Sequence, residues 1–252
     1  MFLFFRYRIV WNMDIRDTLR SILNILHLDL NKSLEYDRLT KKIMKMVITP
    51  SSNCVDVGCH KGEMLNHMVK FAPNGKHFAF EPIPSLFTFL QNKYSKSATI
   101  LPFALSDKKG NTTFHHVKNA PAYSGIKQRS YAVEKPDIEE IKVEMMRLDD
   151  CIPHEIHIDF IKIDVEGGEF GVLLGAQRII AESKPTVLFE SGLGASDYYG
   201  TNPVDLYRFL TDQYSMNIYL LKTWVSRGKS LSEKEFTHYF CTNEEYYFLA
   251  CP

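Results

Sequence analysis

Five short apolar runs, Cys54 to Val57, His77 to Glu81, Thr99 to Leu105, Asp159 to Asp164 and Thr186 to Glu190, alternate with stretches whose apolar residues recur at helical spacing. Such alternation restricts the chain to an α/β architecture, because strand, crossover helix and parallel strand together bury both faces of one sheet. The first run passes into Val55-Asp56-Val57-Gly58-Cys59-His60-Lys61-Gly62, a glycine-containing turn that opens a helical pattern. At such a turn glycines let the backbone approach a ligand, while N–H groups of the next helix face it. The spacing Asp-x-Gly-x-x-x-Gly differs from the Gly-x-Gly-x-x-Gly dinucleotide fingerprint and lacks the Gly-Lys-Ser/Thr ending of a phosphate loop. A turn whose glycines serve packing alone reads the same way.

Around this frame, Ile15, Leu19, Ile22, Leu23 and Leu26 fall at helical spacing, as do Tyr36, Leu39, Ile43 and Met46, so two amphipathic helices are expected before the turn. Pro84 suits the first turn of a helix carrying Leu86, Phe87, Leu90 and Tyr94. One helix is expected after Gly168, with Val172, Leu173, Ala176, Ile179 and Ile180 on its buried side. Between the third and fourth runs, Thr112-Thr113-Phe114 and Ile141-Lys142-Val143-Glu144-Met145 read as strands of an inserted hairpin or small sheet. An apolar helix is expected around Leu206, Phe209 and Leu210; the runs Ile218 to Leu221 and Tyr246 to Leu249 close the chain across a long polar stretch.

The 30 basic residues balance 30 acidic ones, so no global field favours nucleic acid, and no nucleic-acid partner is expected. Five cysteines without paired spacing fit a reducing, cytoplasmic setting rather than a disulfide scaffold. Met1 to Trp11 is apolar and aromatic but shorter than the roughly 20 residues a spanning helix needs, and it lacks the pattern of a secretory signal. It reads as a loose tail, as sequence ahead of a start at Met13, or as a peripheral membrane contact.

The carboxyl ends of parallel strands share one rim, and here those ends are acidic. Glu81 can accept hydrogen bonds from both hydroxyls of a ribose, or serve as a helix-start charge ahead of Pro82 and Pro84. Ser106-Asp107 can meet the amino group of an adenine, or cap the turn through Lys108-Lys109-Gly110. Asp164 can hold a metal, take a proton from a hydroxyl or face a cationic ligand, whereas Glu166 and Glu169 can simply complement the next helix N-terminus. Glu190 ends the neighbouring run, and strands about 4.8 Å apart let Asp164 and Glu190 face one substrate. Two close carboxylates repel, which raises one pKa toward a useful base or invites a cation. His60 is a further candidate base, or a helix-start residue. Cys54, Cys59, His60 and His67 lack paired zinc-ligand spacing.

Taken in order, the glycine turn, Ala79-Phe80-Glu81-Pro82-Ile83-Pro84, Ala104-Leu105-Ser106-Asp107-Lys108-Lys109-Gly110, Leu148-Asp149-Asp150, Ile161-Lys162-Ile163-Asp164-Val165-Glu166-Gly167-Gly168-Glu169, Val172-Leu173-Leu174-Gly175-Ala176 and the closing Tyr247-Phe248-Leu249-Ala250-Cys251-Pro252 resemble the FkbM-type S-adenosylmethionine-dependent methyltransferases. The resemblance covers roughly residues 50 to 252. It implies a Rossmann-like, seven-stranded, mostly parallel sheet with helices on both faces and an antiparallel last strand. Residues 1–49 would then be an apolar tail and helical extension, and 50–252 the methyltransferase domain. Carried over, Asp56, Gly58 and Gly62 would form the methionine-side turn, Glu81 would hold the ribose and Ser106 and Asp107 would lie near the adenine. Asp164, Glu190 and His60 are the catalytic candidates. Cys59-His60 stands where the family commonly has Ala-Asn. Gly167 stands where metal-dependent catechol-type enzymes place a lysine base, which leaves a divalent metal open.

The activity this implies is methyl transfer to a hydroxyl of a sugar, glycan or small molecule. A non-catalytic S-adenosylmethionine-binding or partner-binding module of the same fold is the alternative, and a nicotinamide oxidoreductase lacks its Gly-x-Gly. The segments 111–147 and 191–203 are expected to choose the acceptor, with Tyr123, Tyr131, Tyr198 and Tyr199 either stacking on a ring or packing the insertion onto the sheet.

Overall fold

A computed structural model describes residues 32–131 and 133–252; the helix expected over Ile15 to Leu26 lies outside them. Strands β1 (Cys54–Val57), β2 (His77–Phe80), β3 (Thr99–Leu101), β7 (Phe160–Ile163), β8 (Thr186–Glu190), β9 (Asn217–Leu220) and β10 (Tyr247–Cys251) form a seven-stranded sheet in the order β3-β2-β1-β7-β8-β10-β9. Pairing is parallel except at β10, which runs antiparallel to both β8 and β9. The α/β fold, with its mostly parallel sheet and a single reversed strand, is the one expected.

Side chains of a strand alternate between faces, and here each face has its own core. Val55, Val57, Phe80, Ile161, Ile163, Phe189 and Phe248 pack on one side against helices α5 (Glu169–Leu174), α6 (Gln177–Ser183) and α9 (Glu233–Thr242). Cys54, Ala79, Phe160, Leu188 and Leu249 point to the other side, under α1 (Lys32–Val47), α2 (Glu63–Phe71) and α3 (Pro84–Tyr94). Helix α1 is the second of the two helices expected before the glycine turn; its Tyr36, Leu39, Ile43 and Met44 are buried, whereas Met46, placed with them by its spacing, is exposed. Pro84 begins α3 as anticipated. Among the described residues no helix is long and apolar enough to cross a membrane.

Three elements differ from the expectation. The run Thr99 to Leu105 breaks at Pro102, which has no N–H for the ladder, and its second half becomes β4 (Phe103–Leu105). Strand β4 pairs with β6 (Ile138–Met146), which also pairs with β5 (Gly110–Val117), so the insertion is a three-stranded sheet. The single helix expected after Gly168 is split into α5 and α6 at Gly175, where an added Cβ would lie 2.2 Å from the Ser106 carbonyl oxygen. The polar stretch before the last strand holds α8 (Leu221–Val225) and α9, the latter opened by a capping box between Ser232 and Glu235.

The split at Gly175 is secured from outside the helix. Asp149 accepts hydrogen bonds from the Arg178 and Ile179 N–H groups at 2.8 and 3.0 Å, capping α6, while the Arg178 guanidinium donates to the Asp149 and Ile152 carbonyls. Asp149→Ala removes the cap and strands those donors, and is expected to lower the unfolding free energy by about 2 kcal/mol. Urea denaturation followed by circular dichroism measures it.

Candidate active site

The alternation that builds two cores also builds the site. Asp56 shares its face with Cys54, Lys162 and Asp164 with Phe160, Glu190 with Leu188, and Tyr247 with Leu249, so polar residues from four adjacent strands lie in one stripe under α1. Asp56 is directly opposite Lys162 in the β1–β7 ladder, and Tyr247 is opposite Glu190 in the β8–β10 ladder. This stripe sits at the carboxyl rim of the parallel strands, where ligands bind in open α/β sheets.

Two adjoining cavities open there, of about 560 Å³ and about 60 Å³, and both are lined by Gly58, His60, Ala122, Asp164 and Glu166. The larger lies between α1, the glycine turn and the 192–196 loop; the smaller is bounded by Glu81, Leu105, Phe114 and Tyr199. Gly58 and Gly62 have φ of 74° and 77°, and a Cβ on Gly58 would lie 1.8 Å from the Asp164 carbonyl oxygen. Gly58 and Cys59 both donate to the Phe80 carbonyl at 3.1 Å, which pins the turn onto β2.

The charges are unevenly satisfied. Asp56 is fully buried, and neither of its carboxylate oxygens has a hydrogen-bond partner. Burial pushes its carboxyl above the usual range, with Lys162 pulling the other way. The Lys162 ammonium lies 3.8 Å from Asp56 Oδ1, 3.2 Å from Asp164 Oδ2 and 3.4 Å from the Gly58 carbonyl. Burial works against its charge, but Asp164 and Asp56 overcome that and hold it above the lysine range. Asp164 also accepts a 2.5 Å hydrogen bond from the Tyr247 hydroxyl. Burial opposes its ionisation, yet Lys162 and Tyr247 keep it below the ordinary aspartate range. Burial and the neighbouring Asp164 push Glu190 in the opposite direction, well above the glutamate range. The environment thus drives two adjacent carboxyls apart, as in acid–base pairs.

Glu81 accepts from the His60 N–H at 2.8 Å and the Ile83 N–H at 3.0 Å, and burial raises its pKa to about 7. His60 stands in the left-handed region at φ 49°; its Nε2 is buried without a partner, and burial lowers its pKa. Glu169 receives the Val165 and Gly167 N–H groups on Oε1, leaves Oε2 without a partner, and is raised by burial to about 7. Asp164, Glu166 and Glu190 bring one oxygen each within 4.8 Å of the others, a grouping able to surround a cation. Positive charge is supplied there by Lys162 on Asp164 and by Arg129, whose guanidinium is ion-paired with Glu166.

The candidates Asp56, Gly58, His60, Glu81, Asp164 and Glu190 therefore surround the paired cavities, and Gly62 shapes the turn behind them. Ser106 and Asp107 line neither cavity. The Ser106 hydroxyl donates to Asp107 at 2.9 Å, and β4 carries both residues toward the small sheet and α5. Among the tyrosines, Tyr123 faces the larger cavity, whereas Tyr198 and Tyr199 accept hydrogen bonds from Ser130 and Lys127 and tether the insertion. Residues not named as site candidates from the sequence complete the wall: Lys162, Arg129, Tyr36, Tyr246 and Tyr247. A lysine interrupting the apolar strand Phe160-Ile161-Lys162-Ile163 was the one local signal among them.

The sheet order and the rim cavity define an α/β methyltransferase-type fold. The FkbM methyltransferase domain matches residues 56–214, and the chain belongs to that family. Methyltransferase FkbM from Methylobacillus flagellatus KT aligns over 94% of this chain and 59% of its own, with 16% identity and a TM-score of 0.51. An rRNA methylase from Streptococcus thermophilus aligns over 84% of this chain and 92% of its own, with 12% identity and a TM-score of 0.45. The AMB antimetabolite synthetase AmbE of Pseudomonas aeruginosa is 25% identical over an alignment of 166 positions that covers 52% of this chain and 8% of AmbE. The chain thus spans a small part of AmbE and about three-fifths of the Methylobacillus protein.

Two outcomes follow from this geometry. A left-handed backbone alone makes Gly200→Ala, whose added Cβ meets nothing within 4 Å, cost about 1–2 kcal/mol. Gly58→Ala must in addition displace the Asp164 backbone and is expected to cost clearly more, measured by urea denaturation of both variants. Glu81 and Glu169 hold protons more tightly folded than unfolded, so in the window from about 4.5 to about 7 the folded state binds more protons. Stability of the ligand-free chain is therefore expected to fall as pH rises through that window, and Glu81→Gln to flatten the slope in a pH series of melting curves.

Proposed function

We propose that the chain is an S-adenosylmethionine-dependent O-methyltransferase acting on a hydroxyl of a sugar, glycan or small-molecule metabolite. The observation that carries this reading is Asp56: a fully buried carboxylate without a hydrogen-bond partner that lines a cavity of about 560 Å³. Lys162 at 3.8 Å is its nearest counter-charge but leaves its oxygens without a hydrogen bond, and a ligand that brings N–H donors relieves that cost. The residues present fit the methionine end of such a cofactor. Asp56 and the glycine turn would hold that end, with Gly58 allowing close backbone approach and the N-terminus of α2 facing the carboxylate. Glu81, beside the smaller cavity, would receive the ribose hydroxyls on the lone pairs its two backbone partners leave.

When bound, S-adenosylmethionine supplies a methyl group already activated on a sulfonium. The protein's part is to align the acceptor oxygen, exclude water and take one proton. Asp164, Glu190 and His60 would receive it; that all three line the larger cavity supports this reading. The acceptor would lose its hydroxyl proton to one of these groups, the bound cofactor supplying the methyl group. Tyr36, Tyr246 and Tyr247, which contact one another with ring centroids 4.9 to 6.3 Å apart, offer an aromatic wall suited to a sugar or other ring. Five free cysteines support a reducing, cytoplasmic setting.

Isothermal titration with S-adenosylhomocysteine tests the binding half, with saturable binding expected and no binding at millimolar ligand refuting it. Asp56→Ala is expected to weaken that affinity about 10- to 100-fold, roughly 1.4 to 2.8 kcal/mol. Unchanged affinity would reassign Asp56 to a purely structural role. A pooled screen of hydroxylated acceptors, read by mass gain of one methyl group, tests the catalytic half.

A further inference from the structure

Among the described residues, seven carboxylates line the larger cavity against Lys61, Arg129 and Lys162. The acidic excess survives when Glu169 and Glu190, whose carboxyls burial raises, are counted as neutral. Two of the three cations are already engaged within the protein: Lys162 with Asp56 and Asp164, and Arg129 with Glu166 and, at 3.4 Å, the Gly194 carbonyl. The third carboxylate of the rim grouping, Glu190, is ion-paired with no lysine or arginine among the described residues. Glu169, 1% exposed on the same cavity, keeps Oε2 without a partner. A methionine end held by Asp56 on β1 would not answer this demand, since Glu190 lies two strands further along the sheet.

Aromatic faces gather at this end of the cavity. Glu190 is opposite Tyr247 in the β8–β10 ladder, and the Tyr247 ring lies 5.2 Å from that of Tyr36 and 6.3 Å from that of Tyr246. The Tyr36 and Tyr247 hydroxyls donate to Glu245 at 2.7 Å and to Asp164 at 2.5 Å, so these two residues offer the cavity ring faces and oxygen lone pairs. On the insertion side Tyr123 already has a cation, the Arg129 guanidinium, 5.6 Å from its ring centre. A carboxylate among aromatic faces suits an alkylammonium, whose charge pairs with the acid while the rings take its apolar and cationic surface. A divalent metal fits less well, because two of the three carboxylates in the Asp164, Glu166 and Glu190 grouping already hold Lys162 and Arg129. We propose that the acceptor carries a protonated amine beside its hydroxyl, and that Glu190 anchors the ammonium within the wall of Tyr36, Tyr246 and Tyr247. A protonated nitrogen has no lone pair with which to take a methyl group, so the neighbouring hydroxyl reacts, and Asp164 and His60 are left for its proton. The inference rests on the proposed methyl transfer for the reacting hydroxyl; the preference for an amine stands on the cavity wall alone.

The decisive measurement uses the native chain and probes matched in everything but charge. Tyramine, 4-ethylphenol and 4-hydroxyphenylacetate form one set, and glucosamine, glucose and glucuronate another; each is titrated by ligand-observed NMR into the chain alone and into the chain saturated with S-adenosylhomocysteine. The amine is expected to bind at least about tenfold more tightly than its neutral partner, and the acid most weakly. Equal binding within the sets, a preference for the neutral or anionic members, or no binding by any probe overturns the proposal. Glu190→Gln is expected to weaken tyramine binding about tenfold while moving 4-ethylphenol less than about threefold. Parallel loss of both makes Glu190 a matter of cavity shape and overturns its role as anchor. Millimolar magnesium chloride should leave the amine preference intact; its disappearance would give the carboxylates to a metal ion instead. With S-adenosylmethionine present, any methyl group gained by an amine-bearing probe should be found on oxygen by fragment mass spectrometry, and a methyl group on nitrogen overturns the anchoring role. Should the native chain bind no S-adenosylhomocysteine, the methyl-transfer reading fails by itself, and the titrations into the chain alone still decide the amine preference.

Discussion

The rim is organised around a buried cation between two carboxylates on adjacent strands. Asp56 and Lys162 face each other in the β1–β7 ladder, and Asp164 follows two residues along the same strand face. Without Lys162 the carboxylates would repel as diagonal neighbours on adjacent strands; without them the ammonium would be stranded in the sheet. The arrangement also ties electrostatics to strand register. A slip of one residue in β1 or β7 would send Asp56 or Lys162 into the apolar core formed by Val57, Ile163 and Phe189, where no counter-charge waits. Register and charge placement therefore enforce one another.

Much of this was legible in the chain itself. Alternating apolar runs and helical stretches sufficed for the doubly covered sheet, and acidic residues at the run ends pointed to the rim because strand ends in a parallel sheet converge. What escaped was governed by single residues acting against the local pattern. Pro102 divides an apolar run that reads as one strand and hands its second half to another sheet, carrying Ser106 and Asp107 off the cavity wall. Gly175 divides a helix whose apolar periodicity continues unbroken from Val172 to Ile180, because backbone from Ser106 and Arg147 occupies the space of a side chain there. Helix α9 hides in a polar stretch, although Ser232 and Glu235 spell a capping box. Arg129, Tyr36 and Tyr246 reach the cavity only through tertiary packing, and nothing in their immediate neighbours announces it.

The larger cavity is assembled from two kinds of structure with different freedom to change. Asp56, Lys162, Asp164, Glu190 and Tyr247 are fixed by strand pairing, so moving any of them means moving the sheet. The opposite wall comes from α1, the insertion and the 192–196 loop, which are held by side-chain bonds. Tyr36 donates to Glu245 at 2.7 Å and accepts from the Tyr246 N–H, Lys222 is ion-paired with the same Glu245, and Tyr198 and Tyr199 secure the insertion. Such attachments can be exchanged piece by piece without disturbing a ladder, and surface segments on a rigid scaffold are where specificity is ordinarily built.

That division has a chemical consequence. Methyl transfer asks of the protein a correctly aimed acceptor and a suitable electrostatic environment. The rim can meet both needs with groups whose charges the sheet sets, whatever molecule the outer wall admits. Changes in α1 or the insertion would then reshape the outer cavity while leaving Asp164 paired, since its counter-charge comes from Lys162 of β7 and not from the wall. Arg129 is the exception. Its guanidinium reaches Glu166 from the insertion and lies over the rings of Tyr123 and Tyr131, so it is the point at which the variable wall and the fixed rim are electrostatically joined.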